Sequence, residues 1–420
     1  MSHTHNEQSA VTSSDKVSRR GFLAGTGAAA LSFTVLGPQA VSSYAANGKV
    51  NLGLIGCGGR GTWIADLFMK HGGYNLVAAF DYFQDKVDAC GDKFNVAKDR
   101  RFTGLSGYRR LLATDVDAVA IESPPYFHPE QAAAAVDAGK HVYLAKPIAV
   151  DVPGCNTVAE SGRRATTKKL CFQVDFQTRA DPFYKEALRR VREGALGELA
   201  FGEATYHAGD PWLGQHKALD QDPTNVENRL RAWGLDKVLS GDVITEQNIH
   251  TLDVASWIMD EPPISAYGTG GATVRKRGTC WDHFAVTFIY PKNVGIAFSS
   301  RQFEAFGTQP EGIRNRMFGS KGVLETEYGG QVILRSDKDN FYRGGSSPNI
   351  YADGAVANIA TFHKDITGSN YANPTVECSV RSNLVTILGR TAAYQQRVVT
   401  WSEIINDKNK LDPNLKGAKE

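Results

Sequence analysis

The hexapeptide Gly56-Cys57-Gly58-Gly59-Arg60-Gly61 constrains this chain more than any other stretch. It follows directly on the apolar run Val50-Asn51-Leu52-Gly53-Leu54-Ile55 and leads into helical periodicity from Thr62 to Lys70. A short apolar run bounded by glycine reads as a buried parallel strand. Strand, glycine turn and helix in that order are the setting in which G-x-G-x-x-G holds a dinucleotide. The first glycine permits the turn, the second lets a pyrophosphate approach the backbone, and the third lets helix pack on strand. Gly56, Gly58, Gly59, Arg60 and Gly61 are therefore expected at the phosphates. A second apolar run, Leu76-Val77-Ala78-Ala79-Phe80, ends in Asp81, twenty residues past Gly61, where a carboxylate accepts hydrogen bonds from the adenine ribose. An anion there repels a 2′-phosphate and favours NAD over NADP, while Arg101 or Lys86 could still reach such a phosphate.

Strand and helix signals go on alternating. A helix is expected over residues 84–94, a strand at Ala118-Val119-Ala120-Ile121, a helix from Pro129 to Ala138 and a strand at His141-Val142-Tyr143-Leu144. Successive βα units imply an open parallel sheet whose ligands gather beyond the carboxyl ends of the strands. Ser123, Pro124, Pro125 and His128 follow one such end, and Lys146 follows the next. All five are expected to line the nicotinamide side of the cleft.

The chain has 420 residues, 42% of them hydrophobic and 22% charged, enough for two domains with their own cores. A formal net charge of +2, with no basic stretch interleaved with aromatics, excludes a nucleic-acid footprint. The six cysteines include no C-x-x-C pair and no metal-finger spacing, so no metal is expected. Residues 1–46 read as an address: Arg19-Arg20 in a basic region, a modestly apolar stretch from Ala24 to Leu36, then Ser43-Tyr44-Ala45 as a small-residue cleavage site. That order implies recognition by the twin-arginine export machinery and a periplasmic destination. The apolar part is too short to span a bilayer, and no membrane span is expected elsewhere. A compartment without a free nicotinamide pool calls for a cofactor that stays bound, or for one substrate that re-reduces what another oxidised.

With the glycine loop, the Ser123-Pro124-Pro125-Tyr126-Phe127-His128 stretch and the segment from Ala138 to Pro147, AGKHVYLAKP, the chain resembles the glucose-fructose oxidoreductase, inositol dehydrogenase and MocA (Gfo/Idh/MocA) family. In that family the usual triplet is Glu-Lys-Pro, whose lysine contacts substrate near the nicotinamide. By resemblance Lys146 is that lysine, and Ala145 departs from the usual glutamate. The family's second motif, with an aspartate four residues ahead of a histidine and another three residues on, is similar to the stretch from Gly241 to Asp253, Glu246 standing at the first aspartate's place. The resemblance implies that His250 is the catalytic base and that Glu246 orients it or contacts a substrate hydroxyl. Spacings of four and three residues predict one helix face carrying Glu246, His250 and Asp253.

Oxidation of a secondary alcohol needs a proton acceptor and a donor to the developing oxyanion. Imidazole suits the first task and an ammonium the second, so His250 and Lys146 form the expected catalytic pair. Beyond the strand expected at residues 170–174, the runs at 201–207, 266–269, 284–290 and 295–301 alternate apolar and polar residues, as in an antiparallel sheet with one wet face. The expected fold class is α/β: a Rossmann domain with a doubly wound parallel sheet over residues 47–172, then an α+β substrate and oligomerisation domain with a large open, mostly antiparallel sheet over 173–405. Residues 406–420 are expected as a flexible tail. Arg179, Tyr206 and Trp233 join Lys146, Glu246 and His250 as contacts for a carbohydrate or polyol. By resemblance the protein pairs into a homodimer or homotetramer. Three readings stay open: an oxidoreductase acting on a hydroxyl or keto carbon of a sugar or polyol, a glycoside hydrolase using transient oxidation and elimination, and a non-catalytic nucleotide-binding protein.

Overall fold

The computed structural model describes residues 48–420 apart from Gln221 and Pro310, so the expected export segment lies outside the described residues. Six strands, β1 (Val50–Ile55), β2 (Tyr74–Phe80), β3 (Arg101–Phe102), β4 (Ala118–Ile121), β5 (His141–Ala145) and β6 (Phe172–Asp175), form one sheet in the order β3-β2-β1-β4-β5-β6. Each neighbouring pair is parallel. Strands β4, β5 and β6 are buried at every position, because helices cover both faces. The helices His128–Asp137 and Val152–Thr167 pack into one core through Ala132, Val136, Val158 and Ala165. On the other face Ile64, Ala65 and Phe68 of the helix Gly59–His71 share a core with Ala355, Ile359, Phe362 and Ile366.

Those last four residues come from outside residues 47–172, the expected first domain. They lie on the helix Ile350–Thr367, far along the chain, yet they complete the first sheet. The sheet also runs three residues beyond the expected boundary at 172, since β6 pairs with β5 through Asp175. Parallel strands need apolar cover on both sides, and the helix Ile350–Thr367 supplies part of it beside the helix Gly59–His71.

Nine strands build the second sheet: β7 (Leu199–Ala208), β8 (Ser265–Gly271), β9 (His283–Tyr290), β10 (Val294–Gln302), β11 (Gly312–Gly319), β12 (Gly322–Glu327), β13 (Gln331–Ser336), β14 (Tyr342–Ser346) and β15 (Val399–Thr400). Their order is β14-β13-β12-β11-β7-β10-β9-β8-β15, antiparallel throughout except for the β7 and β10 pair. Buried and open positions alternate along β9 and β10, as expected for a sheet with one face on a core. The helices Ile249–Met259 and Thr375–Gln395 cover that face. Strands β11 to β14 carry no expectation from the sequence.

The segment after Asn406, expected as a flexible tail, instead lies along the first domain. Leu411 N–H donates to Asp151 (2.8 Å), Leu105 N–H to the Lys419 carbonyl (2.8 Å) and Lys419 N–H to the Tyr82 hydroxyl (3.0 Å). Its polar composition serves hydrogen bonds to a surface. Among the described residues no helix is long and apolar enough to cross a membrane.

Candidate active site

The glycine turn separates packing from access. A Cβ on Gly61 would lie 1.8 Å from the Gly56 carbonyl, and one on Gly56, whose φ is 100°, would lie 2.6 Å from the Glu122 and Ser123 backbone. Gly58 and Gly59 would meet nothing within 4 Å. The first and third glycines are thus demanded by the fold, while the middle pair leaves backbone open to a ligand. Gly58 caps the helix Gly59–His71 with no side-chain bond, so its first-turn N–H groups are left for an anion. This cradle fits a pyrophosphate.

At the end of β2, Asp81 accepts N–H bonds from Cys57 (2.8 Å) and Phe83 (2.9 Å), while burial raises its pKa above the ordinary aspartate value. It borders a cleft of about 420 Å³ that also touches Gly56, Gly58, Gly59, Ser123 and Pro124. That volume is in the range of small-molecule sites. Arg101 is turned away: it donates to the Val96 carbonyl (2.8 Å) and pairs with Asp92 (2.7 Å), so the alternative route to a 2′-phosphate narrows to Lys86, which does line the cleft.

Ser123 and Pro124 face this cleft, but Pro125 and His128 do not. Pro125 is buried beneath, and His128 is 1% exposed with its ring between the Ser123 carbonyl (2.7 Å) and the Pro147 carbonyl (2.8 Å). Burial pushes its pKa down to about 4, so at neutral pH it donates to one carbonyl at a time. The expectation that His128 lines the cofactor is corrected: it ties the β4 loop to the segment after β5.

That segment carries Lys146, 7% exposed, whose Nζ donates to the Glu246 carbonyl (2.7 Å) and lies 3.6 Å from its carboxylate. The contact depends on a break in the expected helix. One short helix spans Val243–Glu246 and another Ile249–Met259, and His250 N–H turns to the Gln247 carbonyl (3.3 Å). An unbroken helix would have spent the Glu246 carbonyl on His250 N–H. The break frees it for Lys146, and a single helix face through Glu246, His250 and Asp253 does not form.

His250 is 6% exposed, with its ring 5.1 Å from that of Tyr328 and its Nδ1 without a partner among the described residues. Burial holds its pKa well below the usual histidine value, and the charges of Lys146 and Arg60 push the same way. Burial also lowers the Lys146 pKa; the Glu246 carboxylate opposes that, and Arg60 adds to it. Glu246 accepts from Gln247 Nε2 (2.6 Å), and Gln247 Oε1 accepts from the Tyr206 hydroxyl (2.6 Å). Tyr206 therefore enters through Gln247 rather than standing free for a substrate. Gln247 and Tyr328 escaped the sequence reading; adjacency to Glu246 was a usable signal for the first, but Tyr328 sits at a turn after β12 with none.

Three expected contacts belong elsewhere. Arg179 is committed to Asp253 through two nitrogens (2.8 and 3.0 Å), and Ser382 donates to the same carboxylate (2.7 Å). Trp233 lines the dinucleotide cleft with Gln215 and Leu230, a cleft whose lining does not include Lys146. The Arg60 side chain, expected at the phosphates, instead places Nε 2.9 Å from Glu122 and Nη2 2.5 Å from Asp175. Two buried carboxylates outbid solvent for the guanidinium. Among the described residues no group of three or more His, Cys, Asp or Glu is placed to hold a metal ion.

Residues 50–176 match the model of an oxidoreductase family with an NAD-binding Rossmann fold, and residues 184–325 match the Gfo/Idh/MocA C-terminal domain. The chain belongs to the Gfo/Idh/MocA family. A glycosyl hydrolase family 109 protein of Shewanella baltica is 32% identical over 217 residues, 45% of this chain and 46% of the relative. The chain thus spans about half the length of the curated relatives it matches. Among solved structures, an aldose-aldose oxidoreductase from Caulobacter crescentus, complexed with glycerol, superposes with a TM-score of 0.64 at 19% identity, over 84% of this chain and 99% of that one. A levoglucosan dehydrogenase in complex with NADH and levoglucosan gives 0.67 at 17% identity over the same shares. At these identities the likeness establishes the Gfo/Idh/MocA fold.

Proposed function

We propose that this protein is a nicotinamide-dependent oxidoreductase that transfers a hydride to or from a hydroxyl or keto carbon of a sugar or polyol. The observation that carries the reading is Lys146, buried at the end of β5 beside the dinucleotide cradle and bonded across the domains to Glu246, with the unpartnered Nδ1 of His250 in its field. When bound, NAD supplies the hydride acceptor, or NADH the donor. His250, neutral at neutral pH, takes the hydroxyl proton on Nδ1. Lys146 donates to the same oxygen and stabilises charge developing there. The hydrogen bonds from Tyr206 through Gln247 to Glu246 hold the lysine's partner in place.

NAD is favoured over NADP because Asp81 borders the cleft. Tight retention is supported by a contact that joins the second domain to the cleft: Arg231, on the helix Val226–Arg231, lines it, pairs with Asp85 (2.9 Å) and stacks over the Phe83 ring (3.8 Å). Export in folded form by the twin-arginine route to the periplasm is supported by Arg19 and Arg20 ahead of the apolar stretch. Pairing into a homodimer or homotetramer through the open sheet follows from the family resemblance. Changing both arginines to lysine tests the route: retention of the protein in the cytoplasm is expected.

A second reading has one finding in its favour, that curated relatives are named as glycosyl hydrolase family 109 proteins. The same residues would serve a cycle in which a sugar carbon gives up a hydride to bound NAD+, the glycosidic group is eliminated, water adds in its place and the hydride returns to the sugar. One experiment separates the two: incubation with NAD+ and either free aldoses and inositols or p-nitrophenyl N-acetyl-α-galactosaminide. NADH accumulating with a free sugar supports the oxidoreductase; nitrophenol released without NADH overturns it in favour of hydrolysis. Neither product, with nucleotide bound, leaves the non-catalytic reading.

A further inference from the structure

Glu122 stands in the wall of the dinucleotide cleft, directly after β4, and the chemistry above does not use it. Its side chain is fully buried, and neither carboxyl oxygen has an aligned hydrogen-bond donor. Strand register places it in a row with another acid: Ile121 pairs with Leu144 and Ala145 with Asp175, so Glu122 and Asp175 flank Ala145 at the carboxyl ends of β4 and β6. One guanidinium serves both, with Arg60 at 2.9 Å from Glu122 and 2.5 Å from Asp175. The shares are unequal. Asp175 also accepts from Gln177 (2.8 Å) and Asn358 (2.8 Å), whereas Glu122 has only the poorly aligned Arg60.

Glu122 is therefore placed to hold a proton. Burial pushes its pKa up to about 7; Arg60 and Lys146 oppose the rise and Asp175 adds to it. Its place relative to a bound dinucleotide follows from the ends of the cleft. Asp81 at β2 marks the adenosine end, and Lys146 at β5 marks the end where hydride is exchanged. Glu122, directly after β4 and beside the end of β5, belongs to the second end.

We propose that Glu122 is a proton-holding site of the cofactor cleft whose ionisation follows the charge of the nicotinamide ring, ionised beside the cationic oxidised ring and protonated beside the neutral reduced one. The inference rests on the NAD reading above. A cation near a buried carboxylate favours its charged form, so NAD+ gains over NADH as pH rises through neutrality. The other groups facing Glu122 are Arg60 from the helix Gly59–His71, Asp175 from β6, Tyr143 and Lys146 from β5 and its end, and Tyr351 from the helix Ile350–Thr367. Asp81 meets the same adenosine in both nucleotides, and its contribution cancels in their ratio.

The test is equilibrium competition of NADH with NAD+, followed by the fluorescence of bound NADH between pH 6 and 8.5 on the wild-type protein and on Glu122→Gln. A rise of about tenfold in the preference for NAD+, equal to one pKa unit of coupling, is expected for wild type, with a flat profile for the variant. Calorimetry of the wild type at pH 7, in two buffers of different ionisation enthalpy, reads the same linkage without any substitution: replacing NAD+ by NADH takes up a fraction of a proton. A pH-independent ratio with no proton uptake overturns the inference, as does an unchanged slope in Glu122→Gln, and both leave the NAD reading standing. Failure of either nucleotide to bind overturns that reading together with the inference.

Discussion

The two ends of the proposed site are built on opposite plans. The nucleotide end comes from one stretch of chain, Gly56 to Gly61 with Asp81 close behind, and its geometry is set by the order of strand, turn, helix and strand. The hydride end draws on stretches far apart: Lys146 after β5, Glu246 and His250 on either side of a helix break, Tyr206 on β7 and Tyr328 after β12. Local sequence dictates position at the first end. At the second it dictates only residue type, and the packing of two domains decides which side chains meet.

The sharpest way to break this contrast is Lys146→Ala. Turnover should fall about 10³-fold, within the range for losing a positioned proton-transfer or oxyanion partner, while affinity for NAD+ stays within about threefold. Steady-state rates and nucleotide titration on one preparation check both. Loss of NAD+ binding with turnover intact would show that the two ends are not separable.

Next in size is the pair that the sequence placed at the site and the structure placed in the frame. Asp253 is fully buried beneath Arg179, and Arg179→Met leaves that carboxylate without its charge partner. Stability should drop by about 3–5 kcal/mol, read by urea unfolding, because an orphaned buried charge loses its compensation. Arg179→Met combined with Asp253→Leu should recover much of the loss, and NAD+ binding should be unchanged in every variant that folds.

The reason for that misplacement is general to the second domain. The spacing of Glu246, His250 and Asp253 is helical, and nothing in it announces that the helix breaks at Gln247 and Asn248. The break is made by tertiary demand, since Lys146 from the first domain takes the carbonyl an unbroken helix would use. Strands β1, β2, β4 and β5 were legible because each is a buried apolar run closed by a glycine or a polar loop. Strands β11 to β13 were not: their open positions carry Arg314, Arg316, Glu325 and Arg335, held by ion pairs to neighbouring strands that form only once the sheet has assembled. Arg60 was misread for a related reason. A basic residue in a glycine loop looks like a phosphate ligand, and only the register of three strands shows the two acids that hold it.

Within the nucleotide end, the glycines sharpen the comparison further. Gly61→Ala drives a methyl into the Gly56 carbonyl and should lower stability by about 1–3 kcal/mol, the usual penalty of overpacking. Gly58→Ala meets open space, so stability should hold while NAD+ affinity falls about tenfold, as the methyl enters the path of the pyrophosphate. Thermal unfolding and nucleotide titration on the same two variants separate folding from binding. Equal loss of affinity without any loss of stability in both would mean that the turn is softer than its contacts imply.

The smallest effect is expected at Asp81. Its carboxylate accepts the Cys57 and Phe83 N–H groups, so it shapes the turn as well as presenting charge to the ribose. Asp81→Asn keeps the acceptor for one of those amides and removes the charge; the preference for NAD+ over NADP+ should then fall by several-fold, about 1 kcal/mol. Burial raises the pKa of this acid, so the charge that repels a 2′-phosphate is complete above the raised value and is lost as pH falls through it. Discrimination should accordingly weaken on the acid side in the wild type and stay level in the variant. If the variant keeps full discrimination at pH 8, Asp81 acts through the turn alone, and NAD preference has to be sought in the other residues lining the cleft.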